Sequence, residues 1–312
     1  MKAVFLDRGS FPKSVIIDYP DCVTQIVEFD NTQPQDVIPR IHDADIVLSN
    51  KVVLDRAAIE SAKQLKLVQV MATGTNNLDK LACEENSVRV QNVDGYSAIS
   101  VPEHTFSLLL ALRRNLTSYL EDVKQGRWAE AEFFCFLDYP IQDLANSTMA
   151  IIGQGNLGAK VAQIAKAFSM EVIFVEHKNA SQIRPGYTPF EQALEMADVV
   201  SLHCPLTENT ANLLSYDEFE RMKPSAVLLN TSRGGLVDED ALVDALTSHK
   251  IAAAGFDVAS QEPMPADHPL QALTQLPNFL LTPHIAWASN EAMQSLVNIG
   301  MAKIQQFSEQ QQ

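Results

Sequence analysis

Over residues 1–90, short apolar runs alternate with stretches in which hydrophobic positions recur at helical spacing. The runs at 3–6, 25–29, 45–48, 67–70 and 88–91 read as strands, and 36–41, 55–62 and 78–84 as helices, so this part predicts a parallel sheet with crossover helices. Residues 101–125 predict one long amphipathic helix: Pro102 sits in its first turn, Glu103 follows, and Phe106, Leu109, Leu110, Leu112, Leu116 and Leu120 supply the apolar positions. The apolar arc is wide for a surface helix. It suits burial between domains or against a second subunit, with a plain core helix as the competing reading. From residue 148 the rhythm resumes, with strands at 150–152, 172–175, 199–202, 227–230, 253–257 and 280–283 and helices at 157–168, 190–196, 216–222 and 239–248. A last helix runs from about 289 to 307, ahead of a Gln-rich tail. The fold class expected is α/β, with two doubly wound parallel sheets.

The turn after the strand at 150–152 carries specific chemistry. It reads Gly153-x-Gly155-x-x-Gly158, and the next strand ends on Glu176. Strand, glycine triad, helix, strand and terminal acid in this register form a dinucleotide-binding fingerprint. Gly153 permits a tight turn, Gly155 lets the backbone approach a pyrophosphate, and Gly158 lets the following helix lie close on the sheet. That helix's N-terminus presents unpaired N–H groups to phosphate. Glu176 is positioned to accept ribose hydroxyls and to repel a 2′-phosphate, which points to NAD over NADP, while His177 and Lys178 beside it could attract one. A glycine-rich βα turn with no ligand is the bland alternative.

Composition narrows the field. The chain of 312 residues is long enough for two domains, and 46% hydrophobic with 20% charged residues is ordinary for a globular protein. No stretch approaches membrane-spanning length, and the first residues lack a signal-peptide pattern, so neither membrane nor export is expected. Lys and Arg number 23 against 39 Asp and Glu, a net charge of −16 that disfavours nucleic acid and acidic lipid as partners. Cys22, Cys83, Cys135 and Cys204 are scattered without a CxxC pair, which fits reduced thiols in the cytoplasm. His203-Cys204 lacks a second ligand pair nearby, so no metal site is expected. His42, His104, His177, His249 and His268 read as structural or solvated.

In a doubly wound sheet, ligands bind at the carboxyl ends of the strands. Three such ends carry Asn230-Thr231-Ser232-Arg233-Gly234-Gly235, then Asp257 with Glu262-Pro263 beyond it, then Thr282-Pro283-His284-Ile285-Ala286-Trp287. An arginine, an acid and a histidine are thus expected on the same edge as the glycine turn.

On these residues the chain resembles the D-isomer-specific 2-hydroxyacid dehydrogenases over essentially its whole length. Within that family, Gly-Arg-Trp-Ala at 126–129, the segment 134–140, the ATGTNN loop at 72–77 and Trp287 are most similar to the glycerate dehydrogenases, also called hydroxypyruvate reductases. The resemblance implies a Rossmann cofactor domain, 99–288, inserted into a flavodoxin-like substrate domain built from 1–98 and 289–312. It implies NAD as cofactor, a small anionic 2-oxo or 2-hydroxy acid as substrate, and a homodimer. The catalytic arginine, acid and histidine fall on Arg233, Glu262 and His284. His284 would protonate the carbonyl oxygen, its type titrating near ~6.5. Glu262 would fix its ring and favour the imidazolium, and Arg233 would present a permanently charged fork to the substrate. Ala72, Thr73 and Gly74 match the carboxylate-binding loop, with Thr73 also bordering the cofactor. Asn156 and Leu157 fall on the pyrophosphate turn, and His203, Cys204 and Pro205 on the adenine side. Thr231 and Asp257 fall near the nicotinamide, Asp257 as a candidate partner for its carboxamide, and Ser232, Arg233, His284 and Ala286 also fall among the cofactor-binding residues. Trp287 and Tyr139 would shape the substrate pocket.

The expected reaction is reversible reduction of hydroxypyruvate or glyoxylate. Another 2-oxo acid on the same machinery is a second reading. Formate dehydrogenases carry glutamine where this chain has Glu262, and the long phosphoglycerate dehydrogenases carry a regulatory domain for which this length leaves no room. A dinucleotide-sensing corepressor, a relative that keeps the same three residues, is the alternative from outside enzymology; the acidic composition argues against a chromatin partner.

Overall fold

The computed structural model describes residues 1–311, which divide into two compact units, 1–97 with 288–311 and 98–287. In the first unit the apolar runs form β1 (Lys2–Phe5), β2 (Gln25–Glu28), β3 (Ile46–Ser49), β4 (Leu67–Val70) and β5 (Arg89–Gln91). All pairings are parallel and the strand order is β2-β1-β3-β4-β5, the flavodoxin-like winding. β3 and β4 are buried at every position, because helices cover both faces of a parallel sheet. The crossovers carry α1 (Val37–Ile41), α2 (Arg56–Ser61) and α3 (Lys80–Glu85). Asp55 and Asp79 cap α2 and α3 by accepting from Ala58 and Ala82 N–H.

The second unit opens with a departure from expectation. Residues 101–125 form two helices, α4 (Ser100–Arg113) and α5 (Leu116–Lys124), broken at Asn115, whose φ of 47° is left-handed. α4 is the buried one: Phe106, Leu109 and Leu112 join the core formed with Met149, Ile151, Val161 and Leu229. The sheet contains β6 (Thr148–Ile152), β7 (Glu171–Val175), β8 (Tyr187–Thr188), β9 (Val199–Leu202), β10 (Val227–Asn230), β11 (Ala253–Phe256) and β12 (Phe279–Leu281). Its order, β12-β11-β10-β9-β6-β7-β8, is that of a doubly wound sheet. Seven strands stand where six are expected, the extra one being the two-residue β8. The crossover helices are α6 (Asn156–Ala167), α7 (Phe190–Met196), α8 (Tyr216–Arg221), α9 (Glu239–Thr247) and the short α10 (Pro269–Leu273). Finally α11 (Asn290–Glu309), capped by Ser289, returns the chain to the first unit, where Gly300 lies against Met71. No described helix is long and apolar enough to cross a membrane.

Candidate active site

The turn from β6 into α6 is built by its glycines. At Gly153, φ is 104° and a Cβ would meet the His203 carbonyl at 2.6 Å. At Gly158 a Cβ would lie 2.0 Å from the Gly153 carbonyl oxygen, so only glycine lets α6 start this close to the sheet. Gly155 differs, because nothing described stands within 4 Å of where its Cβ would be. α6 also starts without a side-chain cap, leaving the first-turn N–H groups of Asn156, Leu157 and Gly158 for an external acceptor. An open face over Gly155 above an uncapped helix start is what a pyrophosphate requires.

Beside this turn is a cavity of about 700 Å³, lined by Gly153, Gln154, Glu176, Arg184, Tyr187 and Pro205 among others. Glu176 follows β7 directly and is 2% exposed. Its carboxylate is already engaged: it accepts from the backbone N–H of His177 (2.8 Å) and Arg184 (3.0 Å), and from the Arg184 guanidinium through Nε (2.7 Å) and Nη2 (2.6 Å). The hydrogen bonds from the Arg184 guanidinium hold the Glu176 carboxyl down at about 2. Arg184 is a residue that sequence reasoning missed. His203 is hydrogen-bonded to Ser201 at 2.8 Å, while its Nδ1 has no partner among the described residues, and burial pushes the imidazole down to about 4. Burial raises the neighbouring Cys204 thiol to about 11, so it stays protonated.

Arg233, Glu262 and His284 follow β10, β11 and β12, three adjacent strands. The Asn230 side chain shapes the first end, donating to the Arg233 carbonyl at 2.8 Å and accepting from Ser232 N–H at 3.1 Å. Thr231 and Ser232 spend their hydroxyls within the fold, on Thr105 at 2.9 Å and on the Cys204 carbonyl at 2.9 Å. Gly234 ties this segment to the next: a Cβ there would fall 2.0 Å from the Ala259 carbonyl carbon. The loop beyond Ala259 carries Glu262, which accepts from Ala259 N–H at 3.1 Å and meets His284 Nδ1 at 2.6 Å. A second brace holds the loop, where Ser260 Oγ donates to Glu239 at 2.5 Å and lies 3.1 Å from His268.

His284 has φ 55°, a left-handed conformation uncommon outside glycine and asparagine. Its segment is held by Trp287 Nε1, which donates to the His284 carbonyl at 3.0 Å, and by Asp257. Asp257 is 1% exposed, and its carboxylate accepts from Ile285 N–H (2.9 Å), Ala286 N–H (2.8 Å) and the Thr282 hydroxyl (2.5 Å). Those three donors, with His104 Nε2 at 3.6 Å, hold Asp257 as the brace of the histidine loop. Tyr139 is likewise engaged elsewhere, its hydroxyl donating to Asp122 at 3.0 Å and its ring edge-on to Tyr119.

In the first unit, Ala72, Thr73 and Gly74 follow the carboxyl end of β4. The Thr73 hydroxyl donates to the Val93 carbonyl at 3.0 Å and the Thr73 carbonyl accepts from Asn92 at 2.8 Å. These bonds fix the loop while leaving the Thr73 and Gly74 N–H groups without a partner among the described residues.

Residues 106–286 match the NAD binding domain of the D-isomer specific 2-hydroxyacid dehydrogenases. The chain is 40% identical to a glycerate dehydrogenase of Methylorubrum extorquens, over 98% of this chain and 96% of that protein. It is 36% identical to a hydroxypyruvate reductase of Blautia hydrogenotrophica, over 88% and 86%. A protein solved from Thermus thermophilus superposes with a TM-score of 0.81 at 31% identity, covering 96% of this chain and 94% of that one. The chain belongs to the D-isomer specific 2-hydroxyacid dehydrogenase family and carries its NAD-binding domain.

Proposed function

We propose that the protein reduces hydroxypyruvate or glyoxylate with NADH, and runs the reverse oxidation of the corresponding 2-hydroxy acid. NAD(H), when bound, supplies or accepts the hydride. The residues that would hold it are those of the Gly153–Gly158 turn with Asn156 and Leu157, the cavity beside Glu176, and the strand-end segments at 203–205, 231–233 and 284–286. The observation that carries the chemistry is the His284–Glu262 contact: with Nδ1 taken up by the carboxylate at 2.6 Å, Nε2 is the ring nitrogen left to exchange a proton with a substrate oxygen. Glu262 orients the ring. Arg233 is assigned to the substrate carboxylate and the polarised carbonyl, where a planar, permanent cation stabilises developing negative charge. The backbone N–H groups of the 72–74 loop are assigned to substrate binding, and Trp287 to the size of the substrate side chain.

The names of the two curated relatives support the choice of substrate. On this reading residues 1–98 and 289–312 serve the substrate and 99–288 the cofactor. Four free cysteines among the described residues support the cytoplasm as its location. A homodimer is part of the proposal, resting on the exposed apolar side chains of α5 and the segment after it.

The test is direct. Protein, NADH and hydroxypyruvate are mixed and the absorbance of reduced nicotinamide is followed, with glyoxylate, pyruvate and 2-oxoglutarate in parallel. Turnover should be fastest with hydroxypyruvate or glyoxylate. His284→Ala should lower kcat by about 10²–10⁴-fold, the range for a positioned proton donor, while NADH fluorescence titration still shows binding. No turnover of any small 2-oxo acid sinks the proposal.

A further inference from the structure

A carboxylate at the end of the second strand of a dinucleotide fold excludes a 2′-phosphate by presenting negative charge and open lone pairs to the ribose. Glu176 presents neither. A carboxylate offers about four lone-pair sites, and here four N–H groups fill them: the two backbone donors and the Nε and Nη2 donors on one edge of Arg184 described above. The pair is electrically neutral as a unit, since Arg184 is permanently charged.

Arg184 is also held ready for a second acceptor. Its guanidinium lies over the Tyr187 ring, 3.8 Å from the centroid, and the Tyr187 hydroxyl donates at 2.6 Å to Gln154 inside the glycine turn. Its side chain is 50% exposed, and its Nη1 donors have no partner among the described residues. Of the other basic side chains lining the cavity, Lys178 is paired with Glu218 at 2.8 Å, which leaves Arg184 as the permanent cation with an unengaged edge. The free edge of Arg184 is therefore the cation available at the cavity that starts at the glycine turn.

We propose that Arg184 sets nucleotide choice: by neutralising Glu176 and offering its unoccupied edge, it makes the ribose subsite accept a 2′-phosphate, so that the enzyme binds NADPH alongside NADH. This rests on the reading that the dinucleotide lies along the Gly153–Gly158 turn with its adenosine ribose at Glu176.

The experiment is equilibrium binding without substrate, by fluorescence titration of NADH and NADPH, with 2′,5′-ADP and 5′-ADP as competitors. In the unmodified protein the two dinucleotides should have dissociation constants within about tenfold of each other, and 2′,5′-ADP should compete as well as 5′-ADP or better. Arg184→Gln exposes Glu176 and removes the phosphate's donor, so the NADPH-to-NADH affinity ratio should fall by about 10- to 100-fold, the span of one hydrogen bond to a charged group. Arg184→Lys, which keeps the charge, should hold most of the ratio. An NADPH affinity more than a hundredfold below that for NADH in the unmodified protein overturns the proposal, as does a ratio indifferent to Arg184→Gln. The unmodified protein decides the matter if that variant does not fold. Failure to bind either dinucleotide would overturn the underlying reading as well, which distinguishes the two failures.

Discussion

His203 shows how one partly buried side chain, its ring withdrawn from water, makes the whole molecule sensitive to pH. Burial depresses its folded value from 6.5 to about 4, so the native state holds the ring neutral while the unfolded chain takes up a proton. Stability from this group is complete above pH 6.5 and is lost as pH falls through the interval down to about 4. At pH 5 the loss amounts to about 2 kcal/mol. Urea denaturation at pH 7.5 and pH 5 of the protein and of His203→Gln checks this: the variant should lose about 2 kcal/mol less on acidification. Equal losses would show that the ring does not stay neutral in the fold. The sequence marked position 203 by its place at a strand end and, by resemblance, on the adenine side of the cofactor, without indicating its protonation. The inward orientation of Asp257 comes from donors distant in the chain, and the ion pair of Arg184 from a loop that folds back on Glu176 eight residues earlier. What a strand-end residue bonds to is decided by loops whose path no periodicity encodes.

At the scale of elements much more was legible. Apolar runs bounded by turn residues marked eleven of the strands to within one or two positions, most plainly β3, β4, β9, β10 and β11, which are buried at every position and so nearly continuously hydrophobic. The glycine triad and the three strand ends bearing Arg233, Glu262 and His284 could be located for the same reason. The two-residue β8 could not, being too short to show a period, and the short α10 was not read either. The break at Asn115 also escaped notice: no proline or glycine flags it, and asparagine is among the few residues that tolerate the left-handed turn. Gly234 is the element-scale feature with the sharpest consequence, because it sets the contact between the arginine segment and the glutamate loop. Gly234→Ala drives a Cβ into backbone at 2.0 Å, whereas Gly235→Ala meets only a Leu206 methyl at 3.2 Å, the movable end of a side chain. The first should cost about 1–3 kcal/mol or more by overpacking and displace Glu262 from His284, and the second less than about 1 kcal/mol. Thermal unfolding and kcat measured on both variants make the comparison. Equal effects would mean the two segments can slide apart freely.

At the scale of the whole molecule, the break at Asn115 changes where an interface with a second copy belongs. The wide apolar arc read from the sequence is divided: the α4 half is consumed inside its own unit, where Leu109 is fully buried. The α5 half is not. Leu116, Leu120 and Val123 recur at helical spacing and are each about half exposed, and Phe133, Phe134 and Leu137 in the following segment are exposed by 70%, 89% and 74%. A stripe of this kind followed in the chain by bare aromatic side chains is unfavourable in water and is what the core of a subunit interface presents. Charges flank it, with Arg127 paired to Asp122 at 2.6 Å and also to Asp138, which suits the polar rim around such a core. Light scattering should therefore give a mass twice the chain's 34.4 kDa. Phe134→Asp combined with Leu120→Asp, both placed on exposed positions outside the packed core, should halve that mass while leaving secondary structure intact by circular dichroism. A single-chain mass for the unmodified protein would end the dimer proposal. A double variant that still scatters as two chains would instead move the interface away from α5, because two buried carboxylates facing their own copies across a twofold axis cannot be accommodated at its centre.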